Sequence, residues 1–153
     1  MATKKKKGPP GNVVAQNRKA RHNYFILEDV EAGIMLTGTE VKSLRLGRGS
    51  LVDAYAAEED GALYLYNADI PRYEQAGPNN HEPKRKRKML LHRREIARLS
   101  GAVNRKGMAL VPLAIYFNKR GLAKVQLALA EGKHQYDKRE TTKARDWGRQ
   151  KAR

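Results

Sequence analysis

The stretch spanning residues 107–130 constrains this chain more than any other. Val111, Leu113, Ile115 and Phe117 alternate along one run, and Ala123, Val125, Leu127 and Leu129 alternate along the next. Asn118-Lys119-Arg120-Gly121 lies between them. Apolar side chains at every second position bury one face of a strand, and a Gly-bearing turn between two such runs makes an antiparallel hairpin. Pro112 lacks an N–H, so it must lie at a sheet edge or at a bulge. The apolar pattern then stops, and residues 131–153 are polar and mostly basic. A packed hairpin that runs straight into such a segment predicts a folded body carrying a tail.

The earlier residues supply what completes that body. Apolar runs at 24–27 and 34–36, joined through Glu28-Asp29-Val30-Glu31-Ala32-Gly33, predict a second antiparallel pair with weaker alternation. Residues 51–57 and 62–67 predict a third, joined by Glu58-Glu59-Asp60-Gly61, in which Asp-Gly is a favoured tight-turn pair. Leu63 and Leu65 alternate with Tyr64 and Tyr66, so one face is aromatic. Such a face either stacks bases or wedges under a neighbouring helix or loop. Residues 38–47 have the grammar of a short helix, with Thr39 as cap, Glu40 at the positive dipole end and Gly47 as the stop. Residues 89–104 predict a longer helix with Met89, Ile96, Leu99 and Val103 on one stripe.

About six strands in hairpins with an inserted helix imply a mainly β fold. The expected form is an OB-type, partly open barrel of six antiparallel strands with two to three flanking helices; an open α+β sheet is the alternative. The expected organisation is a disordered basic N-terminus over residues 1–12, the barrel over 13–131 and a flexible basic tail over 132–153.

Charge narrows the function. A net charge of +16, from 32 Lys+Arg against 16 Asp+Glu, implies a polyanionic partner, nucleic acid first and an anionic membrane surface second. The block Lys84-Arg85-Lys86-Arg87-Lys88 is the densest run, and it fits a nuclear signal, a phosphate clamp or a solvated face. The absence of cysteine excludes disulfides, thiolate metal sites and cysteine nucleophiles. No apolar run approaches the roughly 20 residues of a membrane span, and the lysine-rich N-terminus has no apolar signal core. The expectation is a soluble, cytoplasmic protein. His22, His81, His92 and His134 are isolated, and the acid clusters at 28–31 and 58–60 fall in expected turns. No metal site, cofactor site or catalytic set is expected, and the chain reads as a binder rather than an enzyme.

Several ordered stretches closely resemble the small protein B family, the SsrA-binding proteins that partner transfer-messenger RNA. They are Asn17-Arg18-Lys19-Ala20-Arg21-His22-Asn23-Tyr24-Phe25, Gly38-Thr39-Glu40-Val41-Lys42-Ser43-Leu44-Arg45, Arg87-Lys88-Met89-Leu90-Leu91, Gly101-Ala102-Val103-Asn104-Arg105-Lys106-Gly107 and, past the last strand, Asp137-Lys138-Arg139. The resemblance implies an OB-type barrel and a role in trans-translation, the rescue of ribosomes stalled on broken messages. The protein would bind the tRNA-like domain of transfer-messenger RNA, stand in for its missing anticodon stem, and place its tail in the decoding centre and the empty mRNA channel. There it would meet 16S rRNA, acting as a monomer.

Carried onto this sequence, the resemblance puts Asn17, Glu31 and Leu90 in the RNA-binding face, with Lys19, Arg21, Lys124 and Lys133 on phosphates. His22 fits stacking or a 2′-hydroxyl contact, or packing at a strand entry. Gly132, Tyr136, Asp137, Lys138 and Arg139 fall where the family meets the decoding centre. Among residues 140–153 only Ala144, Trp147 and Ala152 are apolar, too few to fold unaided, so the tail is expected to become helical on the ribosome with Trp147 as its stacking anchor.

Overall fold

The computed structural model describes residues 12–106 and 108–132. In chain order the elements are β1 (Asn12–Gln16), α1 (Ala20–Asn23), β2 (Tyr24–Ile34), α2 (Gly38–Arg45), β3 (Tyr55–Glu59), β4 (Ala62–Tyr66), β5 (Arg87–Leu90), α3 (Arg93–Lys106), β6 (Ala109–Phe117) and β7 (Ala123–Gly132).

The β6–β7 hairpin forms as the alternation requires. Asn118 turns the chain by accepting hydrogen bonds on Oδ1 from the N–H groups of Arg120 (3.0 Å) and Leu122 (2.9 Å), and Gly121 takes φ 76°. This fixes Phe117 opposite Ala123 and Tyr116 opposite Lys124. Pro112 sits where the register shifts, at a bulge between Pro112 and Ala114. The β3–β4 turn is equally local: Asp60 and Gly61 both have positive φ, 51° and 82°, as a tight hairpin turn demands.

The strands run in the order β6-β3-β4-β5-β2-β7, and β7 pairs back to β6, with β1 added on the outer edge of β6. The ring is thin at two places. β3 meets β6 through the single pair Ala56–Leu110, and β5 meets β2 through Gly33–Leu90 and Ile34–Met89. The chain is thus the mainly β, partly open barrel expected, with a seventh strand, β1, and three helices. Its interior holds Ile34, Leu63, Leu65, Met89, Ile115, Val125 and Leu127, and α2 and α3 close it with Leu44, Ile96 and Leu99.

Several local expectations are corrected. Residues 24–34 form one continuous strand rather than a hairpin, because Glu28, Asp29 and Glu31 sit within a strand paired to β7 instead of in a turn. The longer helix begins at Arg93, since Arg87 and Met89 point inward and Lys88 and Leu90 outward along β5. The cap of α2 is Thr37, not Thr39: its hydroxyl accepts from the Glu40 N–H while the Glu40 carboxylate accepts from the Thr37 N–H (2.8 Å), a reciprocal capping box.

The charge block at 84–88 is not a uniform surface. Arg87 is fully buried and ion-paired to the fully buried Glu40 of α2, and Arg85 reaches the same carboxylate at 2.7 Å. Arg87 also donates to the carbonyls of Ala68 (2.8 Å) and Pro83 (2.9 Å), which ties the loop before β5 to α2. Burial pushes the Glu40 carboxyl up, but the bonds from Arg85, the Thr37 N–H and Arg87 outweigh it and hold it below the usual carboxylate range. Buried His81 fastens the same loop, bridging the Thr39 hydroxyl (2.9 Å) and the Ile70 carbonyl (2.7 Å).

Candidate nucleic-acid interface

Residues paired across antiparallel strands point to the same side of a sheet. By register, Leu90 of β5, Gly33 of β2, Lys124 of β7 and Tyr116 of β6 form one row across the outer surface of the barrel. Two residues along, Glu31, Gln126 and Ala114 form the next. With strands about 4.8 Å apart, the first row spans roughly 15 Å.

Each member has a distinct environment. Leu90 is 51% exposed and lies over Gly33, where an added Cβ would meet the Leu90 Cβ at 3.0 Å and its Cδ1 at 3.4 Å. The glycine is required here by close approach, not by backbone angle. Lys124 is half-buried and forms no ion pair among the described residues. Glu31 is exposed and accepts a hydrogen bond from the hydroxyl of Tyr116, whose ring is buried. Burial and the neighbouring Glu31 carboxylate hold the Tyr116 phenol well above its usual range, so it remains a donor. Gln126 donates instead to Asp29 at 2.5 Å.

The turn α1 lies on this same outer surface. Its Ala20 is buried against Val111, Leu113, Ala128 and Ala130, and Val111 and Ala128 share a row with Asp29. Lys19, Arg21 and His22 are left exposed. Asn17 is buried, and its amide donates to the carbonyls of Leu51 (3.1 Å) and Pro112 (3.2 Å). It pins the chain where β1 leaves β6 and α1 begins, so its amide N–H groups are committed inside the protein.

Glu31, Leu90 and Lys124 therefore converge, and Lys19, Arg21 and His22 lie on the same side nearer the other end of β2. Tyr24 and Gly33 are separated by roughly 30 Å of strand. Gly132 closes β7 opposite Tyr24, at that far end. Lys133, Tyr136, Asp137, Lys138, Arg139 and Trp147 lie outside the described residues. Sequence reading missed Tyr116, Gly33 and Gln126. The hairpin turn alone places Tyr116 beside Lys124, so that contact had a signal; the reach of Tyr116 to Glu31 across β7 had none.

The aromatic face of β4 faces outward on the strand next to β5, with Tyr64 opposite Lys88. Tyr55 and Tyr66 stack on each other with centroids 5.3 Å apart, Lys86 sits 4.4 Å from the Tyr64 ring centroid, and Glu59 accepts from both Tyr66 and Lys86 at 2.6 Å. Tyr64 and Tyr66 are half-buried, with Lys86 of the loop before β5 over the Tyr64 ring, and Tyr55 remains 43% exposed. Among the described residues no group of three or more His, Asp or Glu side chains could hold a metal, and no helix is long and apolar enough to cross a membrane.

The family model described as SmpB protein matches residues 14–153. The chain belongs to the SmpB family. An SsrA-binding protein of Paramagnetospirillum magneticum is 58% identical over 144 residues, covering 94% of each chain. An SsrA-binding protein of Sinorhizobium medicae is 57% identical over 153 residues, covering all of this chain and 96% of the relative. A solved chain described as "tmRNA-SmpB: a journey to the center of the bacterial ribosome" is 58% identical, with a TM-score of 0.66 over 77% of this chain and 82% of that one.

Proposed function

We propose that this member of the SmpB family is the protein adaptor of trans-translation, binding the tRNA-like domain of transfer-messenger RNA and entering stalled ribosomes with it. The observation that carries the reading is the convergence of Glu31, Leu90 and Lys124 on one outer surface that also bears Lys19, Arg21 and His22. An exposed leucine plate, an ammonium unpaired among the described residues and an oriented carboxylate answer three features of a nucleotide: its face, its phosphate and the N–H groups on its base edge. Asn17 contributes by holding α1 in place. Gly132 closes β7 at the end of the barrel remote from Leu90; Lys133 is assigned with Lys124 to RNA phosphates, and Gly132, Tyr136, Asp137, Lys138, Arg139 and Trp147 are assigned to the decoding centre and mRNA channel. The protein acts in the cytoplasm as a monomeric binder, without catalysis and without a cofactor.

The test is binding to the tRNA-like domain at one fixed, near-physiological salt concentration, against a structured RNA of equal length. Salt must be fixed because so basic a protein binds any RNA when salt is low. The whole chain and a chain cut after Gly132 are both expected to prefer the tRNA-like domain strongly. Loss of preference in both would end the adaptor reading.

A further inference from the structure

Tyr116 belongs to β6 and Glu31 to β2, with β7 between them. For the hydroxyl to reach the carboxylate, the phenol must lie across β7 between Lys124 and Gln126. The directly opposed neighbour of Glu31 is Gln126, but the Gln126 amide is committed to Asp29. Among the described residues Tyr116 is thus the side chain that holds Glu31, through Oε2.

We infer that Tyr116 is a positioning residue for RNA recognition: its hydroxyl anchors one oxygen of Glu31 and so presents the other, beside Leu90 and Lys124, to N–H donors on the edge of an unstacked base. A carboxylate repels phosphate, so its place on a face that binds RNA implies a contact with base amino or imino groups. An unanchored glutamate must lose side-chain freedom when such a base arrives, whereas an anchored one has lost it on folding. Leu90 offers the apolar plate for the base and Lys124 the charge for its phosphate. The inference rests on the adaptor reading and adds to it the residue that orients Glu31.

The experiment compares wild type, Tyr116→Phe, Glu31→Asp, Glu31→Gln and the double variant Tyr116→Phe/Glu31→Gln. Preference for the tRNA-like domain over the control RNA is measured across a salt series, with thermal unfolding in parallel. Tyr116→Phe keeps the buried ring, and Glu31→Asp keeps the charge but withdraws it from the hydroxyl. Each is expected to lose roughly 3- to 10-fold in preference, with the salt slope unchanged because the phosphate contacts persist. On the Glu31→Gln background, Tyr116→Phe is expected to change nothing further.

Wild-type preference in Tyr116→Phe, or losses that multiply in the double variant, would overturn the inference while leaving the adaptor reading intact. Wild type that shows no preference overturns both. If Tyr116→Phe is unfolded at the assay temperature, Glu31→Asp decides: a loss with unchanged salt slope supports the anchoring, and full preference refutes it.

Discussion

Lys124 stands between Gly33 and Tyr116 with its ammonium unpaired among the described residues, which suits it to a phosphate. Lys124→Ala is expected to weaken binding to target and control RNA alike and to reduce the slope of log K against log salt by about 1. An unchanged slope, measured over a salt series, would place that charge elsewhere. Gly33 tests the opposite kind of contact. Gly33→Ala would put a methyl 3.0 Å from the Leu90 Cβ, and the strand pairing there is only two residues long, so β5 is expected to shift and Leu90 to leave its place beside Lys124. The expected cost is about 1–3 kcal/mol in thermal unfolding, with a loss of preference for the tRNA-like domain. A variant that melts lower and yet keeps full preference would show that the position of Leu90 is not critical.

At the level of elements, one carboxylate organises three of them. Glu40 completes the cap of α2 and receives Arg85 from the loop and Arg87 from β5, whose fourth residue is Leu90. Breaking a buried pair by removing one partner leaves the other charge unsatisfied, so Glu40→Gln is expected to lose on the order of 3–5 kcal/mol at neutral pH. The pH dependence follows from the lowered carboxyl. Such a group stabilises the fold above its ordinary value of 4.5, and its contribution disappears as pH falls through the folded-state value. The gap in unfolding free energy between wild type and Glu40→Gln should therefore be constant from pH 7 to about 5 and close below about 4.5. A gap that stays open in acid would mean that packing, not charge, holds the junction.

Over the whole molecule, the Leu90–Lys124 surface and the root of the tail occupy opposite ends of β2 and β7, so the two tasks are separable. Cutting after Gly132 is expected to leave preference for the tRNA-like domain within about 2-fold of the full chain, while lowering the salt slope, because basic residues past Gly132 add contacts that read no sequence. A large loss of preference on truncation would place part of the reader in the tail. How much of this was legible beforehand depends on the range of the interaction. The β6–β7 and β3–β4 hairpins follow from alternation and from turn chemistry at Asn118–Gly121 and Asp60–Gly61, all contained in a few neighbouring residues. The basic balance and the ordered motifs are equally properties of the chain as written, and they indicated an RNA partner and a family. The sequence could not show that Arg87, in the middle of the densest basic run, turns inward to a carboxylate 47 residues away. Nor could it show that Asn17 spends its amide on carbonyls 34 and 95 residues distant, or that Tyr116 holds Glu31 across 85. Such contacts depend on how the strands close into a ring. Closure is decided by packing between distant segments, which leaves no period and no spacing in the sequence.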